Sequence, residues 1–169
     1  MINKTKTIIP NYDIVEKVGE SAHSIAYKAF HKKNPKRPLV LKILKTVSLT
    51  ENQKRHFRQK IEQLKVLHDT RLITPLSLDV KGDVRFITQE YFEGITLDEW
   101  AKTQTKISLD DFFTIACELA QALDKVHEAG IIHGDIKPHN ILIQPETLDI
   151  RIIDFITPPR CERREPFHL

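Results

Sequence analysis

His133-Gly134-Asp135-Ile136-Lys137-Pro138-His139-Asn140 is the stretch on which the fold of this chain turns. It follows the apolar pair Ile131-Ile132 and precedes Ile141-Leu142-Ile143, so a polar loop is held between two apolar anchors. Asp154-Phe155 comes nineteen residues after Asp135. A carboxylate, a lysine two places on, an amide five places on and a second carboxylate downstream are the parts needed to move a phosphoryl group. The signal is specific because four polar residue types must fall at fixed offsets inside apolar flanks.

The stretch resembles the catalytic loop of protein kinases, with Gly134 where that family usually carries arginine. The resemblance implies ATP as the phosphoryl donor. It gives Asp135 the hydroxyl proton, Lys137 the phosphate oxygens, and Asn140 and Asp154 the Mg²⁺ ions. Lys137 favours serine/threonine over tyrosine acceptors by the same analogy. His133, beside an apolar run, is expected to be a packed structural residue with no part in proton transfer. Phe155 is expected to pack under the helix that comes after Lys42.

A resemblance of this kind predicts parts elsewhere. Pro38-Leu39-Val40-Leu41-Lys42-Ile43-Leu44 reads as a buried strand carrying one charge, which is costly without a partner or ligand. In the family this lysine grips the nucleotide phosphates and pairs with a helix glutamate. Phe57, Ile61, Leu64 and Leu67 make an apolar helical stripe within 50–68, with Thr50 as cap, and Glu62 beside it is the candidate partner. The phosphate-covering hairpin is the weakest match. Gly19-Glu20-Ser21-Ala22-His23-Ser24-Ile25-Ala26 keeps one glycine, Ser21 and Ser24 replace the others, and Ala26 stands in for valine. Such a turn should be stiffer than a glycine-rich one. By position, Val18, Gly19, Ser21, Ala26 and Val40 would line the nucleotide site. Gln89 would stand at its back, Glu90 and Phe92 would offer backbone groups to the adenine, and Leu142 would form its floor.

Composition fits a globular domain. Of 169 residues 40% are hydrophobic and 29% charged, and the net charge of +3 is too mild to argue for nucleic acid. The basic run Lys54-Arg55-His56-Phe57-Arg58-Gln59-Lys60 reads as a solvated helix face. Two cysteines give neither a disulfide framework nor a zinc spacing, and Cys117 reads as a core residue. The opening residues lack a signal-peptide pattern. No run approaches the ~20 apolar residues of a membrane helix. The expected setting is cytoplasmic.

Residues 12 to about 90 read as three strands, a helix and two strands, with a hairpin turn at Lys81-Gly82-Asp83-Val84. From about 96 the pattern becomes helical. A short helix covers 96–103 around Trp100. A long one covers 108–129, with a Ser108/Asp111 capping box, a face of Phe112, Ile115, Leu119, Leu123 and Val126, and Gly130 at its end. Short strands come next near 141–143 and 148–153, joined by the turn Gln144-Pro145-Glu146-Thr147.

The expected fold class is α+β: a protein-kinase-like fold with an antiparallel-sheet N-lobe, one helix, and the first part of a mainly helical C-lobe. The whole chain is one partial kinase domain, about 10–92 N-lobe and hinge and about 93–169 the start of the C-lobe. Ile156 stands where the family has glycine, and the sequence runs out at Leu169 before an A-P-E motif. That ending suggests an incomplete domain with little turnover and an exposed C-lobe helix available for association. The opening residues, Gly134 and the Arg160–Phe167 tail look most like the first module of bacterial multidomain proteins that add an ATPase and a sensor histidine kinase. The expected partners are a protein substrate or downstream signalling modules. Two alternatives stay open: a nucleotide-binding or scaffolding pseudokinase, suggested by the lost glycines, and a small-molecule phosphotransferase, suggested by His-Gly-Asp and opposed by Lys137.

Overall fold

The computed structural model describes residues 9–45, 51–82 and 84–155. Thr50, Asp83 and the segment from Ile156 onward, on which some expectations fell, lie outside the described residues, as does the side chain of Phe57.

Alternating strands β1 (Tyr12–Glu20), β2 (Ser24–His31) and β3 (Asn34–Leu44) form an antiparallel meander. After helix α1 (Glu51–Lys65) come β4 (Pro75–Lys81) and β5 (Val84–Glu90). The sheet order is β1-β2-β3-β5-β4, so β5 pairs with β3 in the middle and β4 takes the edge. Successive side chains on a strand point to opposite faces. On β3 this puts Leu41 in a cluster with Ile9, Ala29 and Phe86 on one side of the sheet. Val40, Lys42 and Leu44 belong to the other side, and Leu44 packs against the core shared with the second lobe.

That shared core holds the two halves together. Ile61 and Leu64 of α1 meet Ile87, Ala122, Val126, Ile131, Ile152 and Phe155. Full burial of a side chain such as Leu64 contributes about 2 kcal/mol. A backbone stitch adds to it: Ile73 N–H donates to the Ile152 carbonyl (2.9 Å) and Ile152 N–H to that of Arg71 (2.7 Å). Arg71 forks onto Asp69 and reaches Gln121 (2.6 Å), which fixes the α1–β4 connection to the long helix.

Helix α2 (Leu97–Thr103) begins with a full capping box: Thr96 Oγ1 accepts from Glu99 N–H, and the Glu99 carboxylate accepts from Thr96 N–H. Helix α3 (Leu109–Glu128) has only half of the expected box. Ser108 Oγ accepts from Asp111 N–H (3.0 Å), with no return bond from the shorter aspartate. Ile115, Ala122 and Val126 are its buried residues. Two expectations fail here. Phe112 is exposed, because the first turn of α3 reaches past the packed elements, and Cys117 is exposed because it points away from the Ile115–Ala122 face. Past Gly130, whose φ of +69° turns the chain out of the helix, a loop leads through a 3₁₀ turn (Pro138–Asn140) to β7 (Ile141–Ile143) and β8 (Ile150–Ile152). β7 pairs on one side with β6 (Ile95–Thr96) and on the other with β8, in a small second sheet that packs with Trp100 and Ile115.

Candidate active site

Lys42 is set by register. It lies opposite Ala26 on β2 and Ile87 on β5, two residues from Val40, which faces Gln89. Its ammonium is paired with the Asp154 carboxylate, 112 residues away in sequence. Both side chains are largely withdrawn from solvent, Lys42 12% and Asp154 27% exposed.

In the second lobe, the loop 133–140 supports the backbone that leads into Asp154. The His133 ring lies edge-on to Phe155 with centroids 4.7 Å apart. Its Nε2 sits 2.8 Å from the Ile153 carbonyl, and its Nδ1 accepts from Asp135 N–H (3.2 Å). An Nδ1 that accepts leaves the proton on Nε2, so the neutral ring donates to Ile153 and bridges the two aspartates. Burial pushes its pKa down, and the nearby positive charge of Lys60 acts the same way. Ile153 N–H in turn donates to the Asn140 carbonyl (3.0 Å). Residue 153 is therefore held at both backbone groups, and Asp154 comes next with φ +68°, a left-handed conformation uncommon for a non-glycine residue. Gly134 has φ +81°, which a side chain would strain, so arginine is disfavoured in this loop geometry.

Within the loop, Lys137 Nζ donates to Asp135 Oδ2 (2.6 Å). Asn140 Nδ2 donates to the same oxygen (3.0 Å) and to the Asp135 carbonyl (2.8 Å). Asn140 is buried and Lys137 exposed. Asp135, Lys137 and Asn140 thus form one bonded group and Lys42 with Asp154 a second, and the His133 ring links the loop to the backbone just before Asp154.

Glu62 does not join it. Its carboxylate is 69% exposed and paired with Lys65 (2.7 Å). The inward direction of α1 is taken by Ile61 and Leu64, which leaves Glu62 on the flank, and the carboxylate that answers Lys42 is Asp154. The residue on the inner side is Lys60, expected on the solvated face. It is half-buried, burial lowers its pKa, and it donates to the Ile132 carbonyl (3.3 Å). Its place four residues before buried Leu64, on the same helical face, is the sequence signal that could have found it.

The turn after β1 is closed by its own serine. Ser21 Oγ accepts from His23 N–H (3.2 Å) and Ser24 N–H (3.1 Å), and Ser21 N–H donates to the Ser24 carbonyl (2.8 Å). Lys45 reaches the Ser21 carbonyl (2.8 Å) and, with Lys17, bonds Glu20, holding that exposed carboxyl at a pKa of about 2. Gly19 pairs with Ala26 in the strand ladder just before the turn.

The link between the lobes leaves the sheet after Glu90, which is exposed and paired with Leu39. Gln89 is buried, with Nε2 3.4 Å from the Ile73 carbonyl. Phe92 lies beneath the Arg151 guanidinium, 4.6 Å from its ring centroid. Gly94 passes so close that a Cβ would meet Phe92 Cε1 at 2.6 Å and the Ile143 carbonyl oxygen at 2.7 Å. Leu142 sits half-buried on β7, while Val18 on β1 is exposed.

The oxygen donors suit a hard cation. Asn140 commits Nδ2 to Asp135, so its amide oxygen is the atom that could serve a cation, and Asp154 carries a carboxylate. Mg²⁺ is held by one or two such groups together with phosphates and waters. Among the described residues no cluster of three His, Cys, Asp or Glu forms a protein-only metal cage.

Lys42 of the five-stranded antiparallel sheet thus answers Asp154 of the second lobe, while Asp135, Lys137 and Asn140 are bonded to one another on the loop below. The family is shown by comparison: the protein kinase domain model matches residues 12–165, and the chain belongs to the protein kinase family. The chain is 32% identical over 145 residues to a probable serine/threonine-protein kinase of Clostridium perfringens, covering 85% of this chain and 21% of that protein. It is 31% identical over 152 residues to another from Clostridium acetobutylicum, covering 88% and 23%. Extracellular signal-regulated kinase 2 of Dictyostelium discoideum is 31% identical over 152 residues, covering 89% and 40%. The chain therefore spans under half the length of these relatives. Among solved structures, Rad53 1-466 in complex with AMP-PNP superposes with a TM-score of 0.73 at 24% identity, over 86% of this chain and 38% of that one, which shows the fold.

Proposed function

We propose that the cleft binds Mg-ATP and that this chain is the nucleotide-binding and catalytic part of a serine/threonine-type protein kinase. The observation that carries this reading is the Lys42–Asp154 pair, which draws the ammonium of the sheet onto the carboxylate beside the catalytic loop. Without nucleotide the two charges neutralise one another. With nucleotide bound, Lys42 would be free to turn to the phosphates, and Asp154 and Asn140 would hold Mg²⁺. The bound metal would supply charge neutralisation across the phosphates. Val18, Gly19, Ser21, Ala26, Val40, Gln89, Glu90, Phe92 and Leu142 surround the nucleotide in this reading.

The chain's own groups then divide the work. Asp135 orients the acceptor hydroxyl and takes its proton as the new O–P bond forms. The bond from the γ-phosphorus to the bridging oxygen breaks and ADP leaves. Lys137, already beside Asp135, stays against the transferring phosphoryl group. Asn140 keeps Asp135 in place through its two bonds. His133 acts through position alone. One kinase domain across the chain, a cytoplasmic setting, protein acceptors and further signalling modules as partners belong to the same proposal. Among the described residues no helix is long and apolar enough to cross a membrane.

The test is phosphotransfer from labelled Mg-ATP to a generic protein acceptor, read with ADP release. Transfer to serine or threonine that falls at least about 100-fold in Asp135→Asn supports the proposal. Equal rates in both remove Asp135 from the mechanism. A second reading, nucleotide binding without transfer, is favoured by the Ser21 turn, whose amides are spent on its own hydroxyl. Under it Mg-ATP raises the melting temperature while no label moves.

A further inference from the structure

We propose that Lys60 is a positioning residue: from the inner side of α1 it holds the chain entering the catalytic loop, at the Ile132 carbonyl, and so fixes Asp135 and Asp154 against the lobe that carries Lys42. The contact spans 72 residues of sequence at 3.3 Å. It does not stand alone. Ile61, next to Lys60, and Leu64, one turn on, share a core with Ile131 and Phe155, which flank the two halves of the site. The apolar contacts set α1 on the loop, and Lys60 adds a directional bond to them.

The residue after Ile132 gives the bond its reach. This is His133, whose ring bonds both Asp135 N–H and the carbonyl just before Asp154. A pull on Ile132 is thus passed through one rigid ring to both carboxylates. The Lys60 side chain is half-buried, and the bond it makes to the Ile132 carbonyl lies at the exposed edge of the loop. An ammonium donor makes a stronger bond than a neutral group would. Glu62 faces outward to Lys65, so the charge that α1 offers the site is a cation. The geometry is independent of the kinase reading, while its consequence for nucleotide affinity rests on that reading.

Lys60→Met removes the donor and keeps the apolar stem, Lys60→Arg keeps a donor, and Lys60→Gln serves if the methionine variant does not fold. Amide hydrogen exchange over residues 131–137 in the ligand-free chain should be about tenfold faster in the Met or Gln variant and close to wild type in the Arg variant. Calorimetric titration with Mg-ATP should show about tenfold weaker binding in the Met or Gln variant and less than about twofold in the Arg variant. Unchanged exchange in Lys60→Met, or equal losses in Met and Arg, overturns the tether. Changed exchange with unchanged Mg-ATP affinity overturns its role in positioning the site. If the wild-type chain itself binds no Mg-ATP, the kinase reading falls and the positioning role with it.

Discussion

Removing the Lys42 ammonium should cost the ligand-free fold more than a surface lysine would, and the cost should vanish when Asp154 is removed as well. Two charges about 4 Å apart at an effective dielectric near 20 attract by about 4 kcal/mol before desolvation and side-chain ordering are subtracted. Exposed pairs return ~0.2–1 kcal/mol, and breaking fully buried ones costs about 3–5. With Lys42 12% and Asp154 27% exposed, the pair lies between these limits. The expected coupling energy is therefore about 2 kcal/mol. The assay is a double-mutant cycle of Lys42→Met and Asp154→Asn by urea unfolding, with a parallel cycle of Lys42→Met and Glu62→Gln. The second should give a coupling near zero, because Glu62 answers Lys65 in solvent. Near-zero coupling to Asp154 together with more than about 1 kcal/mol to Glu62 would refute this geometry and restore the family's usual pairing.

Gly134→Ala places a Cβ at φ +81° with open space around it, so the loss should be backbone strain alone, about 1 kcal/mol, seen as a melting temperature lower by ~2–4 °C. Gly94→Ala meets Phe92 and the Ile143 carbonyl instead of open space and should cost more, about 1–3 kcal/mol by denaturant titration; a neutral result would show that the Phe92–Gly94 approach relaxes freely. His133 has a folded-state pKa below its unfolded value, so the unfolded chain takes up the proton first and stability falls as pH drops below about 6.5. In His133→Gln that part of the melting-temperature profile should flatten, while losses from paired carboxylates such as Asp69 and Glu20, whose pKa values are lowered, remain at lower pH. Parallel profiles would show that His133 is not held neutral by its surroundings.

Much of the site was legible because its chemistry lies in short offsets. Asp135, Lys137 and Asn140 fall within six residues, and the apolar runs on either side predict the anchors that hold them. Strand β3 declared Lys42 because a lone charge inside an apolar run requires an answer. The identity of that answer was not legible. Successive helix residues are about 100° apart, and whether α1 turns Glu62 or Lys60 inward depends on how Ile61 and Leu64 seat against Ile131 and Phe155, contacts made with segments about 70 and 90 residues away. The His133 bridge was hidden in the same way, since one of its two bonds is local, to Asp135, and the other reaches Ile153, 20 residues on. Helix α3 shows the opposite limit. Its period was plain, yet Phe112 and Cys117 are exposed because periodicity gives a face and not how far the packed neighbours extend along it. The Ser21 turn was read as a stiffer glycine loop, and its closure through a hydroxyl to two amides is a local bond of the kind that short polar residues form in turns.

Calorimetric titration of the chain with ATP, with and without Mg²⁺, tests the central claim most directly. Saturable binding that needs Mg²⁺ and is lost in both Lys42→Met and Asp154→Asn is the predicted result. Binding that survives both substitutions, or no binding by the folded wild-type chain, would contradict it.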